Sequence, residues 1–366
     1  MKKTAASALL LLFFLQAEKQ NNILHVLDNS RKNDIVTMVF CGDVMGHLPQ
    51  IQAAYNAEDG SYDYNICFEG VKQRIEEADI AVANLETTLA GKPYTGYPFF
   101  SSPDALPDAL QYSGFDVILT ANNHLADKGR KGFERTLQQI DKRGLMRAGS
   151  YLHPQERDSL YPLIIEKKGL RIALLNCTYG TNGMPVYAPN TVNTIDTAQI
   201  RGDVRKARER AADFIVMCIH WGNEYELRAG GTQRKLARFL AGEGVNLIVG
   251  SHPHVVQDRE ILYGKDSVEV PVYYSLGNFI SNQRWRHSNG GILVQARIHA
   301  PSKKLLRTSY EPVYVHKGML REKYQYHLIP TSAYWKNTSY YSLPAKDSAE
   351  LAFFDTTTRK RLEEAY

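Results

Sequence analysis

Cysteine is scarce in this chain, with four thiols in 366 residues. Cys41, Cys177 and Cys218 each lie in or at the end of an apolar run (MVFC, IALLNC, IVMCI). Core strands leave little freedom for bridge geometry, so these three read as buried free thiols, which argues against a disulfide framework and leaves the compartment open. An excess of one charge is missing too. Lys and Arg number 44 against 39 Asp and Glu, a net charge of +5, with no run of like charge beyond a few residues. That balance gives no footing for nucleic acid as a partner, while a mildly basic chain suits anionic substrates. No internal repeat and no long low-complexity segment interrupts the sequence. At 43% apolar residues the length allows one large α/β domain with an appendage, or two ordinary domains.

Long hydrophobic runs are absent with one exception. Met1-Lys2-Lys3 precedes AASALLLLFFL (Ala5 to Leu15) and then Gln16-Ala17-Glu18. A charged start, a short apolar core and a small-residue exit read as a secretory signal, and the run is short for a transmembrane span. Leu15 is larger than the cleavage rule prefers before a cut after Ala17, so a retained N-terminal anchor stays open beside a cleaved signal. Residues 1–17 are therefore assigned as signal or anchor and 18–34 as a linker. The expected location is the periplasm or cell envelope.

Apolar, β-branched runs recur at IVTMVFCGD, DIAVANLE, FDVILTANNH, RIALLNC, DFIVMCIHWG, VNLIVGSHPH, VPVYYSLGNF and GGILVQARI. Segments of helical spacing lie between several of them. Phe133, Leu137 and Ile140 share one helical face, with Gly144 as an end signal. Ile200, Val204, Ala207 and Ala211 share another, with Asp196 placed to cap. The alternation predicts α/β architecture with largely parallel strands covered by helices. Residues 35–300 are read as the main domain. Residues 301–366, rich in tyrosine, are read as strand additions and a closing helix packed on it.

The strand ends carry the chemistry. Asp43 closes the first run, Asn84 and Glu86 the second, Asn122, Asn123 and His124 the third, His220 a later one, and His252 and His254 the run that ends in Ser-His-Pro-His. Ligands of open α/β sheets bind at the carboxyl ends of the strands, so these residues can converge although two hundred positions separate them. Imidazole, carboxylate and amide oxygen suit zinc, manganese or iron, and two such ions about 3.5–4 Å apart can clamp both oxygens of a displacement. Each residue alone reads more simply as turn chemistry or an ordinary strand end. Their order at successive strand ends favours a site.

GDVM, ANLE, TANNH, HWGNEY, GSHPHV and YSLGNF, in this order, resemble the CapA-type capsule-synthesis proteins associated with poly-gamma-glutamate, a branch similar to the calcineurin-like metallophosphoesterases. The resemblance spans roughly Ile35 to Ile298. It implies a four-layer α/β/β/α sandwich and two divalent cations (manganese, zinc or iron) held by Asp43, Glu86, Asn123, His220, His252 and His254, with Glu86 as the bridge and His252 and His254 on different metals. It further implies His124 as the acid that protonates the leaving group, and a hydroxide between the metals as nucleophile toward phosphorus or a carbonyl carbon. Asn84, Asn122 and Asn278 would support the ligands. Met45 stands where the superfamily has a histidine, with His47 as a nearby substitute.

Arg284, Arg286 and His287, in a loop after the GNF turn, are candidates to hold an anionic group. Lys92, Tyr94 and Tyr97 lie in a Gly/Pro-rich loop that could cover the site. The expected function is an envelope-associated, metal-dependent hydrolase of capsule synthesis, acting on a phosphoester or gamma-glutamyl bond. An anionic polymer or phosphorylated substrate, and membrane-bound capsule synthesis partners, are the expected partners. A non-catalytic polymer-binding or export component is the alternative, which Met45 favours.

Overall fold

The computed structural model describes residues 33–320 and 323–364. The signal or anchor assignment for residues 1–17 lies outside the described residues. In chain order the elements are β1 (Ile35–Val44), α1 (Leu48–Ala54), α2 (Asn65–Glu76), β2 (Ile80–Leu85), α3 (Ala105–Tyr112), β3 (Val117–Leu119), α4 (Gly129–Asp141), β4 (Met146–Ala148), β5 (Ser150–Tyr151), α5 (Pro154–Leu160), β6 (Leu163–Lys167), β7 (Leu170–Thr178) and β8 (Thr191–Val192). There follow α6 (Thr197–Glu209), β9 (Phe214–His220), α7 (Gly231–Glu243), β10 (Leu247–Ser251), β11 (Arg259–Tyr263), β12 (Glu269–Tyr273), β13 (Asn278–Ile280), β14 (Gly290–His299), β15 (Lys304–Leu320), β16 (Lys323–Pro330), α8 (Thr331–Lys336), α9 (Thr338–Tyr341) and α10 (Ala345–Glu363).

Two sheets form the centre. One has eight strands in the order β16-β15-β14-β1-β2-β3-β4, with β13 also paired to β1. The other has six, in the order β11-β12-β10-β9-β7-β6. Of the runs read as strands, β1, β2 and β3 are parallel neighbours in the first sheet and β7, β9, β10 and β12 in the second, whereas GGILVQARI, as β14, runs antiparallel to β1; the short β4 adds a further parallel strand.

Side-chain parity explains the layering. In β1, Val36, Met38 and Phe40 point into one core together with Phe214, Val216 and Cys218 of β9, so the two sheets face each other. The alternate residues Val39 and Cys41 pack against Phe68, Val71 and Leu110 of α2 and α3, whereas Ile215, Met217 and Ile219 pack against Val204 and Leu240 of α6 and α7. Each central strand is thus apolar on both faces, as parallel strands under helices must be. The result is the α/β/β/α sandwich.

The two helices read from periodicity are present, although the second ends at Glu209 and leaves Ala211 exposed beyond it at a φ of 57°. Phe133, Leu137 and Ile140 are buried on α4, and the Asp196 carboxylate accepts the Ala198 and Gln199 amides at 2.8 and 2.9 Å at the start of α6. All four cysteines are buried and free. Residues beyond 300 add β15 and β16 to the edge of the eight-stranded sheet, and Leu351, Phe354 and Leu362 of α10 enter the core between the sheets. Among the described residues, no helix is long and apolar enough to cross a membrane.

Candidate metal centre

The parallel strands of both sheets end on one side of the sandwich, and the chain crosses between the sheets there. After β12 it passes through Gly277, whose carbonyl accepts the Asp43 amide at 3.0 Å, and then joins β1 as β13. Gly42 is required by this crossing, because a Cβ there would stand 1.9 Å from the Gly277 oxygen. The packing fixes Asp43 at the strand end.

Asp43 is fully buried, and its Oδ1 accepts Asn84 Nδ2 at 2.8 Å while its Oδ2 faces His254 Nδ1 at 3.1 Å. Asn122 donates to Leu85 O at 2.8 Å and to Asn84 Oδ1 at 3.3 Å, and its own Oδ1 accepts the His124 amide at 3.2 Å. Asn84 and Asn122 thereby hold the ends of β2 and β3 in register with Asp43. On the second sheet, His220 Nδ1 lies 2.9 Å from Ser251 Oγ, and its Nε2 lies 2.9 Å from Asn123 Oδ1 across the gap between sheets.

His252 and His254 adopt left-handed backbone, at φ 99° and 58°. That conformation costs a non-glycine residue roughly 1–3 kcal/mol and persists where surroundings enforce it. They do so here: the Pro253 carbonyl accepts the Tyr225 amide at 2.8 Å, and the His254 carbonyl accepts Asn278 Nδ2 at 3.2 Å. The H-P-H turn consequently aims both imidazoles into the site.

The donors fall into two clusters that share one carboxylate. Glu86, His252 and His254 form one, and Asp43, Glu86 and His220 form the other, with ligand atoms within 4.8 Å of one another in each. Among the described residues, both Glu86 oxygens and His252 Nδ1 are buried without a hydrogen-bond partner. Orphaned polar atoms of this kind are costly unless something binds them, and a nitrogen and oxygen donor set suits a divalent first-row cation. Burial, and then the Asp43 charge, push the Glu86 carboxyl well above its ordinary range. Burial, and then neighbouring imidazoles, push His220 well below its ordinary value and His252 down to about 3, so both are neutral bases near pH 7. His252 and His254 sit in the same cluster, whereas the family pattern would divide them between metals.

His124 is buried, with Nδ1 2.8 Å from Asp127 Oδ2, and Phe100 packs edge-on to its ring at 4.6 Å between centroids. The same Asp127 oxygen accepts the Phe100 amide at 2.8 Å. His124, His254, Met45 and His47 line a cavity of about 960 Å³ with Tyr97, Glu224, Tyr225, Asn282, Arg284 and Trp285. Met45 is buried and adds no hard donor. His47, the proposed substitute, instead binds Gln50 at the start of α1 through its amide (2.9 Å) and its ring (3.2 Å), and it belongs to neither donor cluster. Asn278 spans His254 O, Gln283 Oε1 and Ser288 O, tying the turn to the following loop.

The basic loop divides. Arg284 lines the cavity, but Arg286 stacks over Phe353 of α10 and His287 also packs on Phe353, so those two face the terminal helix and not the donors. Of the Gly/Pro-rich loop, Tyr97 reaches the cavity, while Lys92 and Tyr94 border a separate groove with Leu48, Ile51 and Tyr55. Sequence reasoning passed over Asp127, three residues after His124 on the same turn, and Glu224, which lies inside the HWGNEY motif.

The family described as Bacterial capsule synthesis protein PGA_cap matches residues 37–283. The chain belongs to this family. The PGA_cap match begins within β1 and runs past β13, so it takes in every donor described above. The protein is 26% identical over 338 residues to the capsule biosynthesis protein CapA of Bacillus anthracis, covering 88% of this chain and 76% of that protein. It is also 26% identical over 299 residues to the PGA biosynthesis protein CapA of Bacillus subtilis (strain 168), covering 78% of this chain and 73% of the relative. Among solved structures, the Haemophilus influenzae NAD nucleotidase superposes with a TM-score of 0.50 at 11% identity, over 89% of this chain and 68% of the nucleotidase. The fold is of the metallophosphoesterase type, as the motifs implied.

Proposed function

We propose that this protein is an envelope-associated, metal-dependent hydrolase of capsule polymer synthesis, acting on a phosphoester or gamma-glutamyl bond. One observation carries the reading: Glu86 belongs to both donor clusters, and among the described residues its two buried oxygens have no hydrogen-bond partner, only the His220 and His254 imidazoles at 3.6 and 3.7 Å. Asp43, His220 and Asn123 on one side and His252 and His254 on the other would hold two divalent cations with Glu86 between them. Such ions supply Lewis-acid polarisation and a lowered pKa for water.

The protein's own groups supply the remaining chemistry. The Asp127 carboxylate would fix the His124 ring by accepting its Nδ1–H and would stabilise the imidazolium, the form in which Nε2 also carries a proton and can give it to the departing oxygen or nitrogen. Phe100 and the neighbouring sheet end keep water from the back of that ring. The capsule roles named for the Bacillus relatives support an envelope setting, an anionic polymer or phosphorylated substrate, and membrane-bound synthesis partners.

Met45 favours the second reading, a polymer-binding or export component without catalysis. Elemental analysis of protein lacking its first 17 residues, beside a His252→Ala, His254→Ala double variant, separates the two. Close to two metals per chain, lost in the variant, supports the hydrolase. One metal or none sends the assignment to the binding component.

A further inference from the structure

The cavity over the metal donors carries opposite charges on walls from different sheets. Glu224 follows β9 of the six-stranded sheet, and Arg284 follows β13 of the eight-stranded sheet. Both residues are exposed, and Arg284 also borders a groove against the terminal helix. Among the described residues Glu224 has neither a hydrogen-bond nor an ion-pair partner, although its charge is felt by Glu86 and Tyr225. Arg284 donates to the carbonyl of Val315 at 2.8 Å and meets no described carboxylate in an ion pair.

A second cation stands beside it. Lys317 lies 5.5 Å from the centroid of the Tyr326 ring and Arg284 lies 5.4 Å from the same centroid, so two like charges gather at one aromatic ring. The Lys317 ammonium donates to Asn282 Oδ1 at 3.0 Å, an oxygen that also accepts the Tyr326 hydroxyl. It too has no ion-pair partner among the described residues. Two unneutralised cations held together form an anion site, and an unpaired carboxylate across the opening forms a cation site. A purely anionic substrate explains Arg284 and Lys317, but Glu224 would repel it.

We infer that the cavity selects a zwitterionic head group, with its ammonium at Glu224 and its carboxylate or phosphate at Arg284 and Lys317. The inference rests on the cavity over the donor clusters being the substrate site. Tyr97, Tyr225 and Trp285, exposed at its mouth, offer aromatic faces to the ammonium as well. Two sources share this chemistry: an α-amino acid terminus and an ethanolamine phosphate.

Titration calorimetry on the metal-loaded protein tests the inference, with glutamate and O-phosphoethanolamine as zwitterions, and glutarate and inorganic phosphate as controls that lack the ammonium. A zwitterion is expected to bind at least about tenfold more tightly than its control, and the pair that shows the difference identifies the source. Glu224→Gln should abolish that preference while leaving binding of the control in place. A double Arg284→Ala, Lys317→Ala variant should weaken zwitterion and control alike. Controls as tight as both zwitterions, or an undiminished preference in Glu224→Gln, overturn the inference. Thermal midpoints of the variants report folding, and metal content and hydrolysis by the same samples keep the two readings apart. Zwitterion preference without hydrolysis sinks only the catalytic reading, and hydrolysis without preference sinks only this one.

Discussion

At the scale of single residues, the roles of His124 and of the metal donors part experimentally. His124 touches Asp127 and the cavity but belongs to neither donor cluster. His124→Ala is expected to lower kcat by roughly 10²- to 10⁴-fold while metal content stays at the wild-type level. Asp127→Asn should lose less, because the ring stays in place while the partner that fixes its tautomer is weakened. Equal loss of metal in His124→Ala and His252→Ala would sink the assignment.

Titration gives a second handle on the same residues. In metal-free protein, His252 and His220 take up protons less readily than in the unfolded chain, so stability falls as pH drops below about 6.5. For His252 the loss is about 1.4 kcal/mol per pH unit, continuing toward pH 3. Glu86 acts oppositely: its folded pKa is raised, so the stability it contributes is present below pH 4.5 and lost as pH rises through the folded value. Calorimetry in chelator should show stability falling on both sides, and Glu86→Gln should flatten the alkaline side alone. The donors were legible because each ends an apolar run. Glu224 and Lys317 were not, because an exposed loop carboxylate and a lysine on a distant strand look like surface until the fold sets Glu224 in the cavity wall and Lys317 behind its Asn282.

At the scale of elements, strand identity was legible because burial on both faces makes β1, β9 and β10 continuous apolar runs. The division of VPVYYSLGNF into β12 and β13 on opposite sheets was hidden, since hydropathy carries no sign of which sheet a strand joins. Gly42 and Gly277 make that crossing feasible. Gly42→Ala drives a methyl against the Gly277 carbonyl, a backbone atom that cannot rotate away. The expected cost is about 3 kcal/mol or more, read as a lowered denaturant midpoint with unchanged slope, together with loss of metal because Asp43 moves. Gly129→Ala is a useful contrast: its φ of +60° also strains the backbone, but an added Cβ meets nothing within 4 Å, so metal binding should persist.

At the scale of the whole molecule, the donors come from both sheets: Asp43, Glu86 and Asn123 from the eight-stranded sheet, and His220, His252 and His254 from the six-stranded one. Cations bound among them would cross-link the two sheets at the strand ends, where the apolar core between the sheets gives way to buried polar side chains. Any ligand that binds only the folded chain stabilises it by mass action, about 2.7 kcal/mol when its free concentration is a hundred times the dissociation constant. Removal of metal is therefore expected to lower the thermal midpoint of the wild-type protein by several degrees. The His252→Ala, His254→Ala variant should show a smaller chelator shift, because only the Asp43, Glu86 and His220 cluster remains to join the sheets. Its own midpoint need not be low, since the substitutions also remove two buried imidazoles from the strand ends. A chelator shift undiminished in the double variant would show that His252 and His254 hold no stabilising ion and remove the physical basis for a second cation shared through Glu86.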